Sequence, residues 1–245
     1  MKTPLELNII VPVYNEELTI IEVLKKINFD CKLIKNKKII VVDDGSNDKT
    51  NYLLKKNPRY YSKLIVSNQN LGKGSAIMLG LDYVHTGYIL IQDADLEYDP
   101  IEIPKLWETI KSNDIDVLIT TRLSGSPLTR VHYFWHKQGN RIITLIFNLL
   151  NNTTFTDIYS GYIFFKRNLV DHNKLICKGW AQQAELLTFL KAKSTKVYEA
   201  PISYKGRSYQ EGKKININAL FPVIFTIFWT KLRVTNITYF NKRKY

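Results

Sequence analysis

Acidic residues alternate with other residues directly after an apolar segment near the middle of the chain. Residues 88–92 have the apolar, β-branched composition of a buried strand, and acids occupy every second position after it: Asp93, Asp95, Glu97 and Asp99. Side chains two residues apart in an extended backbone point to the same side, so we expect Asp93 and Asp95 to present two carboxylates together. Neighbouring carboxylates repel each other unless a cation lies between them. This pattern predicts a site for Mg²⁺ or Mn²⁺, which proteins hold through one or two carboxylates and the phosphates of a nucleotide.

The same acids also fit a solvated turn in which Pro100 begins a helix. We adopt this interpretation for Asp99 and Pro100, because acids are common in the first turn of a helix. Asp93 and Asp95 follow a segment that is too apolar for the surface edge of a sheet. This favours a functional site at the carboxyl end of a buried strand.

Segments with the pattern of strands alternate with segments of helical periodicity through the first half of the chain. The predicted strands are residues 5–11, 39–42, 64–67, 88–92 and 117–120. A first helix is expected to open at residues 15–17, with Leu18 on its apolar side. This order predicts an α/β fold with a mostly parallel central sheet and helices on both faces. Such sheets bind ligands outside the carboxyl ends of their strands, so we expect the polar segments there to form one crevice: residues 12–14, 43–44, 70–74 and 93–95.

Composition and charge limit the classes of protein that the chain can belong to. Its 245 residues are 45% hydrophobic and 23% charged, which is ordinary for a folded domain. The net charge of +13 implies an anionic partner: a nucleic acid, a nucleotide-sugar or an anionic lipid. The aromatic residues fall mainly within apolar segments, which argues against nucleic-acid binding. Cys31 and Cys177 form no motif, and residues 7–13 are too short for a signal peptide, so we expect a reduced, cytoplasmic protein.

Two nucleotide-binding motifs can be tested by their spelling around Gly72. The segment GKGS at residues 72–75 lacks the spacing of a Walker loop. Ile77 stands where a dinucleotide-binding fingerprint has its third small residue. Neither an ATPase nor a dehydrogenase is predicted.

Four short motifs follow one another in the first half of the chain: IVPVYNEE at residues 10–17, VVDDGS at 41–46, NLGKG at 70–74 and DAD at 93–95. In this order they resemble the motifs of family 2 glycosyltransferases with the GT-A fold. Later segments resemble the branch that contains dolichyl-phosphate mannose synthase and bacterial polyprenyl-phosphate glycosyltransferases: TDI at 156–158, SGY at 160–162, Glu185 and residues 204–215. The resemblance implies a Rossmann-like GT-A catalytic domain over residues 1–217. Residues 218–245 are expected to form a helical tail.

The resemblance also implies which residues bind the nucleotide-sugar donor. The nucleoside pocket would be lined by Pro12, Tyr14, Glu16 and Asp44, with Asp43 nearby. Lys73 would help to fix this pocket, although a lysine in a surface turn is an equally simple interpretation. Asp93 and Asp95 would contact the metal and the ribose or diphosphate, and Glu97 would be a third metal ligand where several relatives have Gln.

Three cationic residues are candidates for holding phosphates: Arg122, Arg207 and Lys213. Arg122 opens a segment rich in Ser, Gly and Pro, and the other two lie beside glycines in a motif that the branch shares. Guanidinium and ammonium groups bind phosphate oxygens through charge-assisted hydrogen bonds. A solvated basic surface is the alternative interpretation of these residues.

The implied reaction moves one sugar, with inversion, from a UDP- or GDP-linked donor to an acceptor. Negative charge develops on the leaving diphosphate, and a metal and cationic side chains would stabilise it. Asp95 would be a ligand of that metal. A polyprenyl phosphate is already a nucleophile at neutral pH. A saccharide or lipid hydroxyl would need a general base, for which Asp157 is the candidate; its alternative role is to brace the following strand. A fold that only senses the nucleotide-sugar is a third hypothesis, against which the acids at 93 and 95 argue.

The apolar segment at residues 219–229 indicates whether the protein works at a membrane, and therefore whether its acceptor is soluble or membrane-bound. It is shorter than the ~20 apolar residues that span a bilayer. With Trp229 and the basic residues after it, the segment fits a short amphipathic helix on an anionic membrane. That interpretation predicts a peripheral protein on the cytoplasmic face of the membrane. Packing on the domain itself, or on a second subunit of a homo-oligomer, is the alternative.

Overall fold

A central β-sheet organises the computed structural model, which describes residues 5–123, 134–206 and 220–242. Its strands over these residues are β1 (Leu7–Val13), β2 (Lys37–Asp43), β3 (Lys63–Val66), β4 (Tyr88–Ile91), β5 (Val117–Thr121), β6 (Ile163–Lys166) and β7 (Val197–Pro201). The order across the sheet is β3-β2-β1-β4-β6-β5-β7. Every pair of neighbours is parallel except those of β6, which runs antiparallel to β4 and β5. The predicted mostly parallel sheet is confirmed.

Helices cover both faces of the sheet. The α-helices over the described residues are α1 (Ile20–Asp30), α2 (Thr50–Lys56), α3 (Lys73–Tyr83), α4 (Ile103–Ser112), α5 (Phe134–Asn151), α6 (Gln182–Lys193) and α7 (Leu220–Lys242). Successive side chains of a strand point to opposite faces, and the core accordingly divides into two clusters. Ile9 and Val11 of β1 pack in the cluster with α1 and α4, whereas Ile10 packs in the cluster with α3, α5, α6 and α7. The α/β fold class predicted from the order of elements is confirmed.

The first helix begins later than the sequence pattern indicated. Asn15 adopts a φ of 53°, in the left-handed region, so the chain turns at this residue and does not enter a helix. Helix α1 begins at Ile20, and Leu18, expected on the apolar side, is 89% exposed. The prediction that the helix opens at residues 15–17 is therefore wrong. The displaced segment becomes a polar loop at the end of β1.

Helix α7 extends well beyond the apolar segment that predicted it. It contains 23 residues and packs against α5 and α6. Its buried side chains recur at the spacing of one helical face: Val223, Ile227, Thr230 and Val234. Packing on the domain, one of the two predicted alternatives, is thus observed for this face. Within the described ranges, no helix has both the length and the hydropathy that crossing a bilayer requires.

A buried ion pair attaches α7 to α6. Nη1 of Arg233 donates to Oε1 of Glu185 at 2.9 Å, and the Glu185 side chain is fully buried. The same carboxylate accepts the backbone N–H groups of Ile176 and Cys177, at 3.0 and 2.9 Å from Oε2. Nη2 of Arg233 donates to the carbonyl oxygen of Lys174 at 2.6 Å. The pair therefore fixes α7, α6 and the 174–177 segment to one another.

Replacing Arg233 by alanine is expected to destabilise the protein by about 3 kcal/mol, because it leaves a buried carboxylate without its cation. Lys231→Ala on the same helix is the matched control and should change stability by less than about 0.5 kcal/mol. Urea unfolding followed by circular dichroism measures both variants. Equal midpoints for the two would contradict this role of the ion pair.

Candidate active site

Parallel pairing brings the carboxyl ends of β1, β2 and β4 to one edge of the sheet. Val13 at the end of β1 lies opposite Asp43 at the end of β2. Ile91 at the end of β4 lies opposite Ile10. The polar segments after these strands therefore leave the sheet from three neighbouring strands, with β4 ending three residues short of the level of β1 and β2. Sheets of this type bind their ligands at this edge.

Asp44 fixes the turn that precedes α3. Its two carboxylate oxygens accept the backbone N–H groups of Leu71 and Gly72, at 3.0 and 2.7 Å. Gly72 has a φ of +94°, and a Cβ at this position would lie 2.6 Å from the carbonyl oxygen of Lys178. Only glycine avoids both the strained backbone and this clash. The NLGKG motif is thus explained by a turn that Asp44 holds from one side and residue 178 from the other.

Asp43 and Pro12 lie on neighbouring strands beneath the expected nucleoside pocket. Pro12 is buried in β1 opposite Val42. Asp43 is fully buried, and its carboxylate accepts the N–H of Ser46 at 3.0 Å and the side-chain amide of Asn51 at 2.7 Å. These bonds satisfy a buried charge and shape the loop after β2.

The loops after β1 and β2 are tied together by side-chain hydrogen bonds. The backbone N–H of Asn15 donates to Oγ of Ser46 at 3.0 Å, and the N–H of Asn47 donates to Oδ1 of Asn15 at 2.8 Å. The side-chain amide of Asn47 lies 3.4 Å from the hydroxyl oxygen of Tyr14, which is exposed. The structure thus brings the Tyr14 segment and the loop after β2 together.

Thr19, which also contacts Glu16, and Lys73 both reach the acidic loop that follows β4. The hydroxyl of Thr19 lies 2.7 Å from a carboxylate oxygen of Glu16 and 3.0 Å from the carbonyl oxygen of Ala94. Nζ of Lys73 forms an ion pair with Oδ1 of Asp93. The lysine of the turn before α3 and the first acid after β4 therefore face each other, and both side chains remain accessible to solvent.

Three tyrosines pack beside this acidic loop. Tyr98 and Tyr204 form an antiparallel bridge, and the ring of Tyr98 lies 5.1 Å from that of Tyr204 and 5.3 Å from that of Tyr162. The hydroxyl of Tyr204 donates to Oε2 of Glu97 at 2.7 Å. Burial raises the pKa of Tyr98, and burial together with the Glu97 contact raises the pKa of Tyr204, so both phenols are neutral at pH 7. A Cβ on Gly161 would lie 2.5 Å from the Tyr98 ring, which explains the glycine of the SGY motif.

Arg122 and Asp157 form a bidentate ion pair at the end of β5. Nε and Nη2 of Arg122 donate to the two carboxylate oxygens at 2.6 and 2.9 Å, and the side-chain amide of Asn140 donates to Oδ1 at 2.7 Å. Burial opposes ionisation of Asp157, but the charge and hydrogen bonds of Arg122 and the bond from Asn140 outweigh it and lower its pKa. The Arg122 guanidinium lies 5.2 Å from the ring centre of Tyr204. The arginine is thereby held next to the tyrosine cluster.

The donor set after β4 suits a cation that a substrate helps to bind. In the described part of the chain, no group of three or more His, Cys, Asp or Glu side chains is placed to hold a metal by itself. Glu97 accepts from a tyrosine, and Lys73 pairs with Asp93. Two carboxylates with substrate phosphates are a common Mg²⁺ site, so Asp93 and Asp95 fit that class. The assignment of Glu97 as a third ligand stays a prediction.

Part of this arrangement was absent from the sequence-based prediction. Local sequence pattern assigns no role to Asn140 or Tyr98, and Tyr162 enters only as the last residue of the SGY motif. Their contacts join residues that are far apart in the chain, which local patterns do not report. Arg207 and Lys213, the other expected phosphate-binding residues, lie outside the described residues.

Comparison with curated proteins identifies relatives that act on sugars. The chain is 26% identical over 240 residues to the undecaprenyl-phosphate 4-deoxy-4-formamido-L-arabinose transferase of Enterobacter sp. (strain 638). This alignment covers 95% of this chain and 70% of that protein. It is 27% identical over 202 residues to the low-salt glycan biosynthesis hexosyltransferase Agl6 of Haloferax volcanii, covering 82% of this chain and 48% of that protein.

Comparison of structures gives the same fold. The glucosyl-3-phosphoglycerate synthase of Mycobacterium tuberculosis, solved with Mn²⁺, UDP and glucosyl-3-phosphoglycerate, superposes with a TM-score of 0.67 at 17% sequence identity, over 94% of this chain and 80% of that chain. At this identity the likeness supports the fold alone. The model of Glycosyl transferase family 2 matches residues 8–173, which is more than half of the chain. The chain therefore belongs to glycosyl transferase family 2 and is a glycosyltransferase with the GT-A fold.

Proposed function

We propose that this glycosyltransferase moves one sugar from a UDP- or GDP-linked donor to polyprenyl phosphate, with inversion. The observation that carries the proposal is the meeting of the Asp44-held turn, Lys73 and Asp93 at the carboxyl edge of the sheet. A nucleoside diphosphate and its metal require carboxylates, a cation and exposed backbone, and this edge of the sheet provides them. The name of the Enterobacter relative supports an undecaprenyl-phosphate type of acceptor.

On the donor side, each residue has a proposed part. Tyr14 and the loops after β1 and β2 bind the nucleoside, while Asp93 and Asp95 hold Mg²⁺ or Mn²⁺. A bound divalent cation supplies positive charge against the leaving diphosphate. Lys73, which pairs with Asp93 in this structure, is placed to contact a phosphate oxygen once the diphosphate arrives. The M. tuberculosis protein of the same fold was solved with Mn²⁺ and UDP, so a divalent cation beside a nucleoside diphosphate is compatible with this fold.

On the acceptor side, we infer that Asp157 positions Arg122 and does not act as a base. Each oxygen of the Asp157 carboxylate already accepts hydrogen bonds, and its lowered pKa makes it a weak proton acceptor. A phosphate acceptor needs no base, because it is anionic at neutral pH. The Arg122 side chain is 17% exposed, so part of it remains accessible to a ligand. A hydroxyl acceptor is less compatible with this geometry.

A polyprenyl chain resides in a lipid bilayer, so the proposal includes association with a membrane. We place the enzyme as a peripheral protein on the cytoplasmic face. The basic net charge and the exposed aromatic residues of α7 support this location.

The first test is acceptor-dependent release of UDP or GDP from purified enzyme with Mn²⁺, a short-chain polyprenyl phosphate and a panel of nucleotide-sugars. Asp95→Ala is expected to lower this rate roughly 100-fold or more, because the charge on the leaving group loses its stabilisation. Glu108→Ala, on the exposed side of α4, should stay within about twofold. Release without a lipid-linked product would point to hydrolysis, and an unaffected Asp95→Ala enzyme would refute the assigned metal site.

The role of Asp157 is tested by Asp157→Asn. If it positions Arg122, kcat/KM falls roughly 10- to 100-fold, and the shape of the pH profile between pH 6 and about 8.5 is unchanged. If it is a general base, the acidic limb of that profile disappears. Asp116→Asn is the matched control, since Asp116 also pairs with a cation, Lys166, but at the opposite end of β5.

The same ion pair predicts how stability depends on pH. The carboxyl of Asp157 has a lower pKa in the folded protein than its ordinary value of 3.8, so its stabilisation is present above that value. It is lost as the pH falls from 3.8 through the folded pKa. The stability difference between wild type and Asp157→Asn, measured by urea unfolding, should therefore be constant at neutral pH and shrink below about pH 4. A difference that grows on acidification would contradict this assignment.

A further inference from the structure

The outer surface of α7 exposes a continuous row of large apolar side chains. The row consists of Phe221, Phe225, Phe228, Trp229 and Leu232, each between 48% and 73% exposed. Their spacing places them on one face, opposite the residues that pack into the core. The rings of Phe225 and Trp229 stack with centroids 6.2 Å apart. Aromatic residues in this number are not expected on a helix surface that contacts only water.

Helix α5 adds a second apolar row beside the first. Ile142, Leu145 and Leu149 are between 49% and 75% exposed and lie three and four residues apart. Helices α5 and α7 contact each other, and both bury their inner sides in the same core cluster. Their outward sides therefore adjoin. We name these three residues of α5 and the five of α7 the α5–α7 face.

The charges around this face have one sign. Helices α5 and α7 contain no Asp or Glu in their combined sequence, but carry Lys137, Arg141, Lys231 and Lys242, besides Arg233, whose charge is paired with Glu185. Over the whole chain, residues 1–121 contain 15 Lys and Arg against 17 Asp and Glu, whereas residues 122–245 contain 20 against 5. The net charge of +13 therefore arises in residues 122–245, the half of the sequence that includes α5 and α7.

We propose that the α5–α7 face docks on the anionic leaflet of a membrane, with its apolar side chains at the headgroup boundary and its basic residues against lipid phosphates. Helices with aromatic and leucine residues on one side and basic residues around them bind such surfaces. A second copy of this chain would bring two positive surfaces together, which disfavours that occupant. The proposal deepens the membrane association proposed above by naming the surface responsible.

The position of α5 links this face to the active site. Asn140 donates to Asp157, the partner of Arg122, and lies only two residues before Ile142 of the α5–α7 face. One helix therefore touches both the support of a proposed phosphate-binding arginine and the proposed membrane surface. Docking through this face would bring the Arg122 region close to a phosphate borne by a lipid.

The test is flotation of the full chain with vesicles of phosphatidylcholine containing about 30% phosphatidylglycerol, without polyprenyl phosphate or nucleotide-sugar. The double variant F225S/W229S should bind these vesicles about tenfold more weakly, and L145S/L149S severalfold more weakly. F29S/L33S is the matched control: Phe29 and Leu33 are 71% and 83% exposed near α1, which packs on the other face of the sheet, and binding should stay within about twofold. Wild type should bind pure phosphatidylcholine vesicles about tenfold more weakly than the anionic ones.

Two results would overturn the proposal. In the first, F225S/W229S and L145S/L149S both bind anionic vesicles as tightly as wild type does. In the second, wild type is a dimer in sedimentation velocity without lipid, and F225S/W229S becomes a monomer with unchanged vesicle binding, which assigns the face to a second copy. Since the vesicles hold no acceptor, failure here is distinct from failure of the proposed reaction, which the release assay on short-chain acceptor reports. The two variant pairs lie on different helices, so misfolding of one leaves the other decisive.

Discussion

The site depends on the placement of acidic residues at the carboxyl edge of a parallel sheet. Asp43, Asp44 and Asp93 lie at or just after the ends of β2 and β4, and carboxylates gathered at one edge repel one another unless donors or cations compensate them. The structure gives each of them a donor or a cation: side-chain and backbone N–H groups for Asp43, two backbone N–H groups for Asp44, and Lys73 for Asp93. Two of the three acids thus shape the loops. Among the described residues Asp93 pairs only with Lys73, whose side chain is flexible, so it is the acid of the three most readily available to a ligand.

The supports of this edge come from the second half of the chain. The carbonyl oxygen of Lys178 accepts the N–H of Gly74 at 2.7 Å, on the side of the turn away from Asp44. The segment that carries Lys178 is in turn held by Glu185, whose carboxylate binds Arg233 of α7. Helix α7 therefore belongs to the packing that surrounds the donor edge, although it is remote from that edge in sequence. Its inner side stabilises the domain and its outer side carries the apolar row.

The sequence was sufficient for the features that depend on local pattern. Apolar runs followed by acid or glycine located the strand ends, and the spelling around Gly72 excluded a Walker loop. The same method misplaced the start of α1, because a single residue, Asn15, turns the chain in the left-handed region. It also did not define the buried side of α7, since that side is set by packing on α5 and α6 and not by a continuous apolar run. The pairing of Asp157 with Arg122 and Asn140 joins three separate segments of the chain. The sequence therefore left two roles open for Asp157: a general base, or a residue that supports the following strand.

The most direct test of the account is calorimetric titration of UDP and GDP into the protein, with Mn²⁺ and with a chelator. If Asp93 holds the metal against the diphosphate, the metal and the nucleotide bind cooperatively: Mn²⁺ should tighten nucleotide binding by roughly tenfold or more, and nucleotide should tighten Mn²⁺ binding by the same factor. This coupling should vanish in Asp93→Asn, while weak nucleoside binding persists. Nucleotide affinity that is equal with and without metal, or coupling that survives in Asp93→Asn, would contradict the central claim.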